Sequence, residues 1–214
     1  MAIRRYLYAL AMSCLLAAPG ASWGQALDEL FKATDQGDAK AVAGYLSRGL
    51  DANSTDKLGY TLLMTASRQG HEEVVKLLLD RKANISLRSP SGDTALMLAS
   101  LKGHLGVVKI LVDRGAPISH AGWAPIHFAA FEGRADVVRY LVEKGAQKDD
   151  LAPNGYSALL LAMRNGHMEA ARELLYADVD VNVKAPNGET ALSLAKKKEE
   201  KSLEELLRRA GAVE

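Results

Sequence analysis

Glycine recurs along this chain of 214 residues at a nearly constant spacing, and no other feature of the sequence restricts the fold as much. One set is spaced by 33, 30, 33 and 33 residues: Gly59, Gly92, Gly122, Gly155 and Gly188. A second set is spaced by 33, 33, 30 and 33 residues: Gly37, Gly70, Gly103, Gly133 and Gly166. The third set keeps the same period with two substitutions: Gly49, Lys82, Gly115, Gly145, Asp178 and Gly211. This period predicts a stack of small units, with three residues missing where the short intervals overlap, between Gly115 and Gly122.

Each repeated unit contains the signals for two short helices and a loop. In the unit that starts at Gly92, Thr94 is suited to cap the N-terminus of a helix that ends at Gly103. The segment LGVVKILVDR predicts a second helix, because its apolar residues recur at helical spacing before Gly115. Turn signals join the units at residues 90–92 (PSG), 153–155 (PNG) and 186–188 (PNG). We therefore predict a helix, a turn, a helix and a hairpin loop in each unit, and such a unit must stack on its neighbours to bury its apolar side.

These repeated segments resemble ankyrin repeats. The resemblance is carried by GYTLLMTASRQGHEEVVKLLLDRKANI, GDTALMLASLKGHLGVVKILVDRGAPI, GWAPIHFAAFEGRADVVRYLVEKGA, GYSALLLAMRNGHMEAARELLYADVDVN and GETALSLA, preceded by the less regular ATDQGDAKAVAGYLSRGLDAN. It covers residues 27–214 and implies an all-α solenoid of about six stacked helix-turn-helix repeats with hairpin loops. The expected repeats are residues 27–58, 59–91, 92–121, 122–154, 155–187 and 188–214.

The departures from the family pattern are local. The family's Thr-Pro-Leu-His motif survives only as APIH at residues 124–127. Lys82 and Asp178 stand where glycine usually ends a helix, so a small loss of stability is expected if they adopt positive φ. The end segments LDELFKATDQGDAK and KKKEEKSLEELLRR are predicted to cap the stack with solvated outer faces. The charge run at residues 196–201 is interpreted as surface.

Residues 1–26 differ from the repeats and have the three-part layout of a secretory signal peptide. Arg4 and Arg5 precede an apolar run of 13 residues, 6–18, which is shorter than the roughly 20 residues of a membrane-spanning helix. We therefore expect an exported bacterial protein, periplasmic or secreted, without a stable membrane anchor after cleavage. A twin-arginine signal is a second interpretation of the same segment.

Cleavage near Gly24 or Ala26 would leave a chain without cysteine. Cys14 is the only cysteine, and its place inside the apolar run rather than at its end disfavours lipid attachment, which stays an open alternative. Without it the repeats can form no disulfide and no thiolate metal site. Removal of the two arginines leaves 25 basic and 26 acidic residues, which changes the formal net charge from +1 to −1. This balance favours neither nucleic acid nor an anionic membrane as a partner, and we predict no cofactor and no metal.

Most histidines are in phase with the repeat and are therefore predicted to be structural. His127, in the apolar stretch GWAPIHFAAFEG, holds the position of Met64, Met97, Leu160 and Ser193 in the other units, and the resemblance implies that it hydrogen-bonds within and between repeats. Three histidines directly follow a turn glycine: His71, His104 and His167. His71 and Glu72 begin an H-E-x-x-H pattern, but Val75 stands at the second ligand position and no zinc site is expected.

An enzyme with a site on the concave face is the alternative from another functional class. Such a site requires titratable residues that are out of phase with the repeat and close together. Only Asp93, Glu132 and His120 offer anything of that kind, and His120, which lies outside the repeat phase, is predicted to be a surface residue of the shortened hairpin.

The residues free to vary are those that the resemblance places on the concave surface, where ankyrin proteins bind their partners. The residue after each leading glycine belongs there: Tyr60, Asp93, Trp123, Tyr156 and Glu189. So do the two residues before each turn glycine: Arg68 and Gln69, Leu101 and Lys102, Phe131 and Glu132, Arg164 and Asn165. Trp123, Phe131 and Leu101 would form an apolar centre flanked by the tyrosines and arginines, which are residue types enriched at interface hot spots. The simpler alternative is that Trp123 only covers the shortened hairpin.

From these patterns we predict a monomeric, non-enzymatic module that binds another protein, using Tyr60, Arg68, Asp93, Leu101, Trp123, Phe131, Tyr156 and Arg164. Two roles are open within this class: a scaffold or chaperone-like helper of a periplasmic protein, and an immunity protein that neutralises a delivered toxin. Self-association through the apolar groove is a further alternative. The sequence does not identify the partner, because a repeat surface recognises shape rather than carrying a motif.

Overall fold

The computed structural model describes residues 23–120 and 122–213, and this part of the chain forms twelve α-helices in six pairs. The first helices are α1 (Trp23–Asp35), α3 (Leu62–Gln69), α5 (Ala95–Lys102), α7 (Pro125–Phe131), α9 (Ala158–Asn165) and α11 (Ala191–Lys197). The second helices are α2 (Ala39–Ser47), α4 (Glu72–Asp80), α6 (Leu105–Asp113), α8 (Ala135–Glu143), α10 (Met168–Tyr176) and α12 (Lys201–Arg209). The predicted all-α repeat solenoid is confirmed. Most of the expected signal peptide lies outside the described residues, and residues 23–26 belong to α1.

A hydroxyl side chain caps most of the first helices. The Thr94 hydroxyl accepts a hydrogen bond from the Met97 amide at 3.3 Å, as predicted. Equivalent caps join Thr61 to Met64, Ser157 to Leu160 and Thr190 to Ser193. Ala124 precedes α7 and has no hydroxyl, so this helix begins without a side-chain cap of that kind.

Left-handed residues end the helices, and three of them are not glycine. Gly103 ends α5 with φ 77°. Lys82 and Asp178 have φ of 62° and 56°, which confirms the predicted positive φ, and Glu199 in the charged turn before α12 has φ of 58°. A non-glycine residue in this conformation lowers the stability by about 1 kcal/mol or more, and glycine at the equivalent positions of other units has no such strain.

The first helices form one layer and the second helices form another. Alanine recurs in the first layer, and every member of this set is fully buried: Ala66, Ala99, Ala129, Ala162 and Ala195. Larger side chains separate the second helices, among them Leu78, Leu111, Leu141, Leu174 and Leu207. The first helices consequently pack together more closely than the second helices do. This difference curves the stack, with the first helices on its concave side.

Hairpin loops project between the pairs, and neighbouring hairpins are joined by side-chain hydrogen bonds. We number them hairpin 1 (50–61), hairpin 2 (83–94), hairpin 3 (116–124), hairpin 4 (146–157) and hairpin 5 (179–190). Asn53 Oδ1 accepts from the Asn84 amide at 2.7 Å, Ser119 Oγ from the Gln147 amide at 2.9 Å, and Asp149 Oδ1 from the Asp180 amide at 2.7 Å. The position equivalent to these amides in hairpin 3 is Pro117, which has no N–H to donate.

Candidate protein-binding face

The predicted partner-binding residues, together with Glu189 and Lys197 at the equivalent positions of the last unit, form two rows on the concave side. The tip row lies where each hairpin returns to a first helix: Tyr60, Asp93, Trp123, Tyr156 and Glu189. The helix-end row lies at the end of the same helices: Arg68, Leu101, Phe131, Arg164 and Lys197. Eight residues separate the two members in every unit, and side-chain contacts join them in three of the five units. We call the two rows together the concave face.

Two units carry the same tyrosine–arginine pair. The Arg68 guanidinium lies 5.6 Å from the ring centroid of Tyr60, and that of Arg164 lies 5.0 Å from the ring of Tyr156. Arg164 also donates a hydrogen bond to the Tyr156 hydroxyl at 2.6 Å. Such cation–π contacts orient the guanidinium without neutralising its charge. Tyr156 is only 7% exposed, so it acts by holding Arg164 rather than by offering a surface of its own.

Both acidic residues of the tip row are engaged with neighbouring side chains. Asp93 Oδ2 accepts from the Tyr60 hydroxyl at 3.4 Å and from the Ser89 hydroxyl at 3.3 Å. Glu189 accepts from the Asn187 amide at 2.8 Å and lies 3.5 Å from the Lys197 ammonium. The Asn187 hydrogen bond, followed by the Lys197 charge, lowers the pKa of Glu189. The contacts of Glu189 favour its carboxylate form, and both residues are engaged within the protein.

An aromatic cluster occupies the middle of the face, and its composition differs from the prediction. Trp123 packs against Phe128 with ring centroids 5.5 Å apart, and it meets the His127 ring edge-on at 6.0 Å. Its predicted neighbour Phe131 makes no ring contact with it and stays 42% exposed, although Phe131 belongs to the same helix, α7. Trp123 is half-buried, so part of it covers the fold and part faces solvent. The sequence-based prediction missed Phe128, whose only signal is an aromatic ring where the other units have threonine or leucine.

His127 is a structural residue in the part of the chain that the structure describes. It is 0% exposed, and its Nδ1 accepts from the Ala124 amide at 3.1 Å while Nε2 faces the Asp150 carbonyl oxygen at 2.9 Å. Only the neutral ring with its proton on Nε2 satisfies both contacts. Burial lowers the pKa of His127, and the hydrogen bond to Asp150 offsets that effect only in part. The ring thus links the start of α7 to hairpin 4.

The in-phase histidines pack on the preceding unit. A side chain at Gly70 would come within 2.7 Å of the His104 ring, and His104 Nε2 lies 3.0 Å from the Arg68 carbonyl oxygen. His71 repeats this contact with the Asp35 carbonyl at 2.8 Å. In the fourth unit Arg134 occupies the position of these histidines, and its Nε donates to the Leu101 carbonyl at 3.2 Å.

The described residues contain no grouping of three or more histidine, cysteine or acidic side chains that would hold a metal ion. Of the residues considered for a grafted enzyme site, Asp93 is bonded as above and Glu132 pairs with Arg134 at 3.7 Å. A pocket at the C-terminal end of the stack is lined by Lys184, Gly188, Thr190, Leu192, Ser193 and Lys196. Its lining has hydroxyl and ammonium groups but no acid–histidine pair. None of the described helices is long and apolar enough to cross a bilayer.

Comparisons with known proteins agree with this architecture. The family pattern described as ankyrin repeats in three copies matches residues 30–121, 82–152 and 126–213. A crystal structure of an ankyrin repeat domain from Acinetobacter baumannii is similar with a TM-score of 0.78 and 25% identity, covering 86% of this chain and 98% of that one. The human ASB11 ankyrin repeat domain is similar with a TM-score of 0.79 and 24% identity, covering 86% and 84%. No curated protein matches by sequence.

The chain therefore belongs to the ankyrin repeat family. Domains of this family generally mediate protein–protein interactions and are typically non-enzymatic. The concave face has the exposed aromatic, aliphatic and arginine side chains that such an interaction uses.

Proposed function

We propose that the chain is an exported, non-enzymatic binding protein that holds another protein on its concave face, as a scaffold or chaperone-like helper in the bacterial periplasm. The observation that carries the binding role is the exposure of Phe131, which follows Leu101 in the helix-end row and shares α7 with Phe128. Phe131 ends α7, yet it is 42% exposed, so the stack does not require an aromatic ring there. Export is supported by the signal-peptide pattern of residues 1–26.

The binding role is tested by capture of partners from a periplasmic extract with the tagged protein and two single variants. Phe131→Ser removes an exposed ring from the concave face. Tyr176→Ser is the matched control, because Tyr176 ends the second helix α10 and is 70% exposed. Loss of a central anchor typically weakens binding by about 2 kcal/mol or more.

We expect wild type and Tyr176→Ser to retain the same protein and Phe131→Ser to lose it, with unchanged circular dichroism. A protein retained equally by both variants would contradict the assignment of the face. Retention of a delivered toxin instead of a resident protein would change the role to that of an immunity protein and leave the binding face as proposed.

Export is tested separately by cell fractionation. The full chain should be recovered from the periplasm in a form shortened by about 26 residues, as expected for a signal peptide of this length. An unshortened chain confined to the cytoplasm would contradict export without affecting the binding role.

A further inference from the structure

The concave face carries two arginines that form no ion pair in the described part of the chain, although Arg164 is close enough to Glu189 for its charge to lower the pKa of that carboxyl. The guanidinium groups of Arg68 and Arg164 contact tyrosine rings, and among the described residues neither has a carboxylate oxygen within 4 Å. Lys102, which follows Leu101 at the end of α5, is exposed and also lacks an ion pair with any described carboxylate. The negative end of the helix dipole favours cations here, but it leaves them able to bind an external anion.

The acidic residues of the same surface are engaged by other side chains, and Asp35, at the equivalent position of the first unit, accepts from the Gln69 side-chain amide at 2.6 Å. Asp93 is bonded to two hydroxyl groups, Glu132 is paired with Arg134, and Glu189 is paired with Lys197. The face therefore presents cations to solvent on both sides of an apolar centre, although the charges of residues 27–214 nearly cancel. The contrast between unpaired guanidinium groups and engaged carboxylates is therefore a property of the fold and not of the overall composition.

The spacing of the two arginines sets the size of a ligand that would reach both. Arg68 lies in the second unit and Arg164 in the fifth, so three steps between adjacent first helices separate them. Helices pack about 8–10 Å apart, which places the arginines roughly 24–30 Å from each other. An extended chain advances about 3.3 Å per residue and crosses this span in about eight residues.

We infer that the concave face binds a protein segment with an apolar or aromatic anchor at its centre and acidic side chains on both sides, about eight residues apart when extended. The anchor contacts Leu101, Trp123 and Phe131, and the acidic side chains pair with Arg68 and Arg164. The tyrosine rings hold the two guanidinium groups in place before binding, which reduces the ordering cost of each ion pair. This inference rests on the proposed function, because it names the chemistry of the partner at the same face.

The test is a selection of random twelve-residue peptides displayed on phage against the purified protein. A parallel selection uses the double variant Arg68→Glu, Arg164→Glu. The matched control is Lys109→Glu, Lys144→Glu, because both ammonium groups lie close to the Tyr140 ring, at 5.8 and 5.4 Å from its centroid, on the second helices. Arg68→Gln and Arg164→Gln are tested with the selected peptides in case charge reversal impairs folding.

Wild type and the lysine control should enrich peptides with acidic residues on both sides of Phe, Trp or Leu, and the arginine reversal should enrich basic residues at those positions. Loss of the two ion pairs should weaken the binding of a synthetic acidic peptide by about tenfold in each arginine variant, measured at low salt. Enrichment without an acidic excess, or an excess that persists after reversal, would overturn the inference, as would a selection without enrichment. If neutral peptides are enriched and Phe131→Ser still abolishes their binding, the inference fails and the proposed function stands.

Discussion

The joint between hairpins 2 and 3 differs from the joint between hairpins 1 and 2 in every hairpin contact. Hairpins 1 and 2 are linked by the Asn53–Asn84 hydrogen bond and by Gly59, whose Cα lies so close to Pro90 that an added Cβ would come within 2.6 Å. Between hairpins 2 and 3 the donor is replaced by Pro117, and no described residue lies within 4 Å of a Cβ added at Gly92. The layer of first helices continues unchanged, since α5 packs on α7 as α3 packs on α5, whereas α6 packs on α8 less closely than α4 packs on α6.

This difference shows that the helix layers hold the stack together and that the hairpin contacts add to it locally. Three residues can therefore be missing from hairpin 3 without loss of the fold. The next joint is partly restored. A Cβ added at Gly122 would lie 3.8 Å from Pro153, but Ser119 Oγ accepts from the Gln147 amide and His127 reaches the Asp150 carbonyl. No residue at the His127 position of another unit reaches the following hairpin in this way among the described hydrogen bonds.

The largest expected effect comes from removal of the His127 side chain, which joins α7 to hairpin 4. His127→Ala should lower the free energy of unfolding by about 2–4 kcal/mol, because it leaves a cavity and unpairs the Ala124 amide and the Asp150 carbonyl. His127→Met should cost less, since Met64 and Met97 fill the same position in regular units. Urea denaturation measures both. A loss below about 1 kcal/mol for His127→Ala would mean that the helix layers alone hold this joint.

The next comparison uses two glycines of the hairpin tips. Gly59 and Gly92 have φ of 80° and 88°, so alanine at either position costs about 1 kcal/mol from backbone strain alone. Only Gly59→Ala also forces the new Cβ against Pro90, which should add about 1–2 kcal/mol. The difference between the two variants in urea denaturation isolates the tip contact. Equal losses would show that the Gly59–Pro90 contact adds nothing to the stability of this joint.

The stability of the fourth unit should also depend on pH through His127. Its pKa is lowered in the folded protein by burial, from a reference value of 6.5. The unfolded chain therefore binds the proton more readily, so this contribution is complete above pH 6.5 and falls as the pH decreases towards the folded pKa. The slope is at most about 1.4 kcal/mol per pH unit.

The measurement compares urea denaturation of wild type and His127→Met at pH 7.5 and pH 5.0. Because carboxylates titrate equally in both proteins, the difference between the two pH dependences belongs to His127. Wild type should lose more stability than the variant. An equal loss would mean that the ring is protonated as readily in the folded chain as in the unfolded one.

Much of this architecture was predictable from the sequence because the repeat places each residue in several equivalent environments. The Thr94 cap, the positive φ of Lys82 and Asp178 and the structural place of His127 all follow from that phase. The Trp123–Phe128 pair does not, because the repeat phase gives the position of a ring in the unit but not the direction in which it packs.

The charge pairing on the concave face could not be predicted from the sequence either. The eight-residue interval joins Tyr60 to Arg68 and Glu189 to Lys197, but only the structure shows that the Glu189 carboxylate lies near an ammonium group whereas the Arg68 guanidinium lies over a tyrosine ring. Pro117 is the repeat equivalent of Asn84, so the sequence indicates the missing hydrogen bond only after the Asn53–Asn84 contact has been seen in the structure.

The smallest expected effect tests that missing hydrogen bond directly. Asn53→Ala removes the acceptor of the Asn84 amide and should cost about 1 kcal/mol. Ser86→Ala removes the equivalent side chain at the next joint, where Pro117 offers no donor, and should change stability by less than about 0.5 kcal/mol. Asn53→Ser is the control for size, because Ser119 Oγ accepts the same bond from Gln147 between hairpins 3 and 4. If Ser86→Ala cost as much as Asn53→Ala, the hairpin side chains would stabilise their own turns rather than the joints, and the contrast between the joints would rest on the glycine–proline contact alone.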